Sequence, residues 1–183
     1  MSRRSDNFAH NTALAQTDGF INGQRLEPVC DYRFGIRDLG YCGCGVIAFK
    51  NALLLCDMDI SLAQAAYEME SATLLFGLLG VNMFAYSSRL RSHGLHAKKL
   101  FSRKKAARLL DGSVILLAYF LKGHIFRAHI VTAKREGGGY TVYNHSGRKP
   151  ESTRFDSFDE IICGGKMILA YEITKAAEIG DKK

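Results

Sequence analysis

The chain is expected to fold as α+β, with helices first and an antiparallel sheet after them. Three observations predict this. Residues from Val46 to Ser92 carry helix caps, helix stops and apolar runs too long for strands. From Ser113 onward the pattern changes to short apolar runs and alternating segments with glycine-bearing turns. Helical and strand segments are segregated along the chain rather than interleaved, which excludes a parallel βαβ design.

Residues 1–19 are polar and without periodicity and are expected to form a flexible arm. Phe20 to Leu26 carries an Asn-Gly turn between short apolar pieces, the pattern of a small hairpin. Pro28 to Tyr41 is loop-like, punctuated by Gly35 and Gly40. From Val46 to Leu55 only Lys50 and Asn51 are polar, so this run predicts a helix buried on nearly all sides. Ser61-Leu62-Ala63-Gln64 has capping-box spacing and opens a second helix to about Glu70. Asn82 caps a third helix over Met83–Ser92, which Gly94 stops. Ser102 caps a short basic helix closed by Asp111-Gly112. Ser113–Phe120 reads as a buried strand, and His129–Lys134 with Tyr140–Asn144 as a hairpin around Gly137. Phe155–Ile162 suggests a short helix, and Met167–Ile173 is the last strand. One domain over residues 20–174 is therefore expected, followed by a flexible tail at 175–183.

Composition excludes several function classes. No apolar run approaches the roughly 18–20 residues of a membrane span. The basic N-terminus is not followed by the apolar core of a secretory signal, so a cytoplasmic protein is expected. Five cysteines, an odd number spread thinly, argue against a disulfide framework. Cys42 and Cys44 with His93 and His96 match no common zinc spacing, so neither metal nor other cofactor is expected. The net charge of +7 comes partly from Lys98–Lys105 and Arg108, a run read as a solvated helix face. With no Trp and no interleaved aromatics, nucleic-acid binding is not favoured, whereas an acidic peptide segment suits the charge.

The chemistry concentrates at Tyr41-Cys42-Gly43-Cys44-Gly45. A thiol opening a helix faces free N–H groups and the positive end of the macrodipole, both of which favour the thiolate. The structural alternative is a pair of small core residues at a tight turn. A nucleophilic thiol needs a base, and His129 opens a strand just after an irregular loop, where a sheet holds an imidazole over a cleft mouth. Hairpin closure around Gly137 brings residue 129 opposite 144 or 145, depending on a one-residue bulge. In the first case the Asn144 side chain accepts from the imidazole and fixes its tautomer; in the second His145 faces His129. Asn144 also reads simply as a turn former.

Cys-Gly at the head of a buried helix, then His at a strand start, then Asn or Asp closing the next strand, resembles the papain-like cysteine peptidases. Within these the chain is most similar to the bacterial bacteriocin-processing group, which cleaves leader peptides after small residues. That group opens its helix Cys-Gly-x-x-Ala, which Cys44-Gly45-Val46-Ile47-Ala48 fits and Cys42 does not. The resemblance implies a papain-like fold and a peptide or protein substrate. It implies catalytic Cys44, His129 and Asn144, with Gly43, His124 and Ala128 facing substrate. One departure stands out. The group carries a Gln just before the cysteine to hold the oxyanion, and no Gln or Asn lies between Cys30 and Cys44. Arg37 or Tyr41 is left to supply the second donor, while Asp38, near the expected Gln position, would repel an oxyanion when ionised. Two function classes follow: a cysteine peptidase or acyl-transfer enzyme, and a peptide-binding module on the same fold that does no chemistry.

Overall fold

The computed structural model describes residues 2–124 and 127–175. Its elements, in order, are α1 (Arg3–Thr12), β1 (Arg33–Phe34), β2 (Arg37–Asp38), α2 (Leu39–Cys42), α3 (Cys44–Leu55), α4 (Leu62–Glu70) and α5 (Tyr86–Ser92). They continue with β3 (Leu95–Leu100), α6 (Arg103–Ala106), β4 (Val114–Phe120), β5 (Ala128–Glu136), β6 (Gly139–Tyr143), β7 (Thr153–Phe155), α7 (Phe158–Ile161) and β8 (Lys166–Lys175). Strands β3 to β8 form one antiparallel sheet in the order β3-β8-β4-β5-β6-β7.

The sheet is buried on both faces, which is why β4 reads as an unbroken apolar run. Val114, Leu116 and Ala118 join the core beneath α3, α4 and α5. Ile115, Leu117 and Tyr119 point the other way, into a second core closed by Ala106, Phe158 and Ile161. The central helix α3 is buried from Gly45 to Leu53. Its two polar residues have specific partners: Lys50 reaches Asp59 at 2.9 Å, and Asn51 pairs with both main-chain groups of Ile21, at 2.9 and 2.8 Å. Thr132 of β5 donates to the Ala48 carbonyl at 2.7 Å, fixing the helix on the sheet.

Caps expected from sequence are made by Ser61, which accepts from the Gln64 N–H, and by Asn82, which accepts from the Phe84 N–H. Gly94 takes φ +72° just past α5. Other expectations change. Residues 3–12 are not an irregular arm but a helix packed on α4, with Phe8 and Tyr67 rings 5.0 Å apart. Its buried positions are asparagines, so it shows no apolar stripe. Asn7 donates to the Gly35 carbonyl and to Glu70, and Asn11 exchanges two hydrogen bonds with the backbone of Arg33. Residues 20–26 form no hairpin; Ile21 to Gln24 run as a strap across the domain. Lys98 and Lys99 lie on edge strand β3 rather than on a helix, and Ser102 makes no side-chain cap on the four-residue α6. Of the expected tail, Lys175 ends β8 and residues 176–183 lie outside the described residues. No helix among the described residues is long and apolar enough to cross a membrane.

Candidate active site

Helix α2 runs into α3 through Gly43. A Cβ on Gly43 would sit 2.5 Å from the Leu39 carbonyl oxygen, so only glycine allows the two helices to meet this closely. The junction separates the two cysteines. Cys42 is buried, its thiol donates to the Asp38 carbonyl at 3.3 Å, and burial pushes its pKa up to about 12. Cys44 is partly accessible and turns toward β5. The backbone N–H of Ile130 meets its sulfur, joined by the N–H groups of Gly45 and of Cys44 itself. These donors lower the thiol's pKa, but burial raises it by more, and the net shift is upward. The helix start does not by itself yield a resting thiolate, contrary to the sequence expectation.

Ile130 follows His129, so the same stretch of β5 that presents an N–H to the sulfur also carries the imidazole. His129 Nε2 lies 2.8 Å from the main-chain carbonyl oxygen of Asn144. A carbonyl only accepts, so Nε2 carries the hydrogen and Nδ1 is left with the lone pair. The Tyr119 ring meets the imidazole edge-on at 6.0 Å. Burial holds the His129 pKa below the usual histidine range, with the Arg25 charge adding to it and hydrogen bonds to the Asn144 and His145 backbone opposing it.

The expected route to Asn144 was its side chain, across the hairpin ladder. The ladder is set differently: Glu136 pairs with Gly139 across a two-residue turn whose glycines have φ +56° and +75°. Pairing then ends at Thr132 with Tyr143, and Asn144 leaves the strand with φ +56°. This bend aims the carbonyl of Asn144 at His129 and its side chain at Gln24. Asn144 Oδ1 accepts from the Gln24 N–H, and its Nδ2 donates to Gln24 Oε1, both at 3.2 Å. The Asn144 N–H donates to Asn22 Oδ1 at 2.7 Å, and Gln24 Nε2 donates to the Gly40 carbonyl of α2 at 3.3 Å. The 21–24 strap thus ties α3 through Asn51, α2 through Gly40 and the imidazole's support through Asn144.

Neither a family model nor a curated protein matches this sequence. Among solved structures, the chain is similar to the peptidase domain of Streptococcus ComA, a bifunctional ABC transporter involved in a quorum-sensing pathway. The two share 14% identity at a TM-score of 0.52, over 78% of this chain and 96% of that one. A double-glycine motif protease from an AMS/PCAT transporter, solved with its leader peptide, aligns at 15% identity and a TM-score of 0.49, over 72% and 84% of the two chains. The fold is that of the papain-like peptidase domains. In it, the helix bearing Cys44 packs against the strand bearing His129.

The other expected residues are spread around this papain-like frame. Asp38 is the N-cap of α2, accepting from the Tyr41 N–H at 2.8 Å, so its carboxylate is committed to the helix and donates nothing. Arg37 stacks over the exposed Tyr41 ring, its guanidinium carbon 4.7 Å from the ring centroid. Arg37 and Asp38 line a cavity of about 650 Å³ on the outer side of α2. His129 lines a different one of about 250 Å³, with Gln24, Arg25, His145 and Ser146. Gly43 is buried at the helix junction, where its role is packing. Ala128 and His124 are exposed near His129 in sequence, and residues 125–126 of their loop lie outside the described residues.

Two further residues line the site beyond those the resemblance implies. Gln24 supplies a buried amide beside His129, from twenty positions before Cys44 rather than a few. No local pattern announces it; the Asn22-Gly23 turn signal beside it predicts a hairpin instead. His145 shares the cavity with His129, and its Nε2 donates to the Ile161 carbonyl at 2.8 Å, with Cys163 Sγ 3.9 Å away. No group of three or more His, Cys, Asp or Glu side chains among the described residues is placed to hold a metal ion.

Proposed function

We propose that this protein is a papain-like cysteine hydrolase acting on a peptide amide bond, with Cys44 as nucleophile and His129 as base. The single observation that carries the reading is the start of strand β5. The Ile130 N–H meets the Cys44 sulfur while the neighbouring imidazole holds its hydrogen on the Asn144 carbonyl and keeps Nδ1 free. Burial raises the thiol's pKa and lowers the imidazole's, so both rest neutral at pH 7 and the thiolate forms only as substrate is attacked. The thiol proton passes to His129 Nδ1 as sulfur bonds to the carbonyl carbon. The imidazolium then protonates the leaving amine, the C–N bond breaks, and water hydrolyses the thioester with His129 again as base. The Cys44 N–H and the second amide hydrogen of Gln24 are the donors for the oxyanion, the role the sequence left to Arg37 or Tyr41.

The fold shared with the ComA peptidase domain supports a peptide substrate. Replacing Cys44 with alanine is expected to abolish peptide hydrolysis while leaving the fold intact. Hydrolysis that persists in the alanine variant would overturn the assignment. The upward shift of the Cys44 pKa also suits the second reading, a peptide-binding module without turnover. That reading requires Cys44→Ala to leave every measurable property of the peptide complex unchanged, with no hydrolysis by the parent.

A further inference from the structure

We propose that the loop from Leu74 to Phe84, with Ile36 beside it, is a docking surface for an anionic lipid bilayer. Large apolar side chains are exposed here. Leu75 is 62% exposed, Phe76 72%, Leu79 63% and Phe84 54%, with Leu74, Leu78 and Ile36 also exposed. Leu74 to Leu79 and Ile36 are held together, with Phe84 following on the same segment. The Leu74 N–H donates to the Gly80 carbonyl and the Leu79 N–H to the Leu74 carbonyl, closing the loop, and the Ile36 N–H donates to the Phe76 carbonyl at 3.0 Å. The exposure is built in, because Leu75 and Phe76 hold φ of +47° and +57°, a region that such side chains seldom occupy. An exposed cluster of this kind marks an interaction surface rather than ordinary surface scatter.

Its rim is cationic. Lys99 Nζ lies 5.7 Å from the Phe84 ring centroid, Arg89 holds Ser71 at the loop's base, and Arg37 follows Ile36. Arg3 and Arg33 line the cavity that Ile36 and Arg37 border. None of these five cations forms an ion pair among the described residues. Of the acids close by, Asp31 and Asp38 line the same cavity, Asp38 being spent on the cap of α2, while Glu70 is buried under Asn7 and Gly35. Exposed apolar side chains beside Arg and Lys residues that form no ion pair among the described residues match the two layers of a bilayer surface, acyl chains within and anionic headgroups around. The loop also leads back to the candidate site. A Cβ on Gly45 would meet Val81 at 2.9 Å, and one on Gly80 would sit 3.5 Å from the Cys42 carbonyl. Docking would therefore place the Cys44 end of α3 close to the membrane.

The test is flotation of the full chain with phosphatidylcholine vesicles, with and without phosphatidylserine, at low and high salt. Recruitment by the serine-containing vesicles is expected to be at least about tenfold stronger, and to fade with salt. Phe76→Ser with Leu79→Ser is expected to weaken it by about tenfold or more, because both side chains leave water on docking. Lys99→Glu with Arg37→Glu is expected to erase the preference for phosphatidylserine. The apolar sites are exposed, so thermal melting stays unchanged; if the double variant melts early, Leu75→Ser takes its place. Absence of recruitment, equal recruitment by both lipids, or recruitment indifferent to the loop variants would overturn the proposal. So would sedimentation showing that the loop instead holds two copies together, or a loop variant that only raises KM for a peptide.

Discussion

Replacing Asn144 with glycine separates the two things this residue does. Its carbonyl receives the His129 Nε2 hydrogen at 2.8 Å, while its side chain meets the Gln24 N–H and Oε1, both at 3.2 Å. Glycine accepts the φ of +56° without strain, so the carbonyl stays in place. The lost side chain strands two buried groups of Gln24, each worth about 1–3 kcal/mol when left without a partner. The bonds are long, so the low end applies, and a loss of about 2–3 kcal/mol is expected. For a domain of this size that lowers the melting temperature by roughly 5–10 °C. The rate should change much less. The tautomer survives, so carbamidomethylation of Cys44 and peptide hydrolysis are expected to fall less than about tenfold, under 1.4 kcal/mol of activation energy. Loss of a side-chain orienter has cost about 10⁴ in a serine protease. A fall of that size in Asn144→Gly, in protein that is folded at the assay temperature, would return the orienting role to the side chain and refute the main-chain account.

The lowered His129 pKa keeps the base neutral below the ordinary value of about 6.5. Activity should therefore hold as pH falls past 6.5 and drop only through the lower value; an acid limb above 6.5 in kcat/KM would contradict this. Stability has the same sign. His129 and His145 both bind protons less readily folded than unfolded, so stability should fall as pH drops below about 6.5. The slope is at most about 1.4 kcal/mol per pH unit for each histidine, readable from denaturant midpoints. Asn51→Ala should cost about 2–4 kcal/mol by stranding the N–H and carbonyl of Ile21, and a loss below about 0.5 kcal/mol would mean that the strap contributes little. Gly43→Ala should lower both stability and Cys44 reactivity, because its Cβ meets Leu39 at 2.5 Å and the junction must open; unchanged alkylation would show that α2 and α3 move independently.

What was legible in the sequence is what depends on near neighbours. Burial of α3 follows from an apolar run that only Lys50 and Asn51 interrupt, and the caps at Ser61 and Asn82 are local hydrogen bonds between residues two or three apart. Strand β4 reads directly because both its faces are covered. The candidate site residues can be proposed from the sequence, but not the atoms by which they meet. The ladder register and the bend after Tyr143 decide that the carbonyl of Asn144, not its amide, meets His129. Gln24 was missed because its partner lies 120 positions away, beyond any local pattern. Helix α1 was missed because asparagines, not apolar residues, face the interior. Edge strand β3 was hidden by Lys98 and Lys99, which an exposed edge tolerates and which suit a solvated helix equally well.

One oxygen in the N-terminal half has an outsized reach. Glu70 Oε1 accepts from both Asn7 and the Gly35 N–H, so a single carboxylate clasps the first helix, the short β hairpin and α4. Burial already pushes that carboxyl's pKa upward. Trimming the chain to begin at residue 20, as its polar opening invites, would bare this acid on one side and loosen the hairpin that leads into Asp38 and the cysteine pair. A minimal version of this domain keeps α1 together with the serine that caps it.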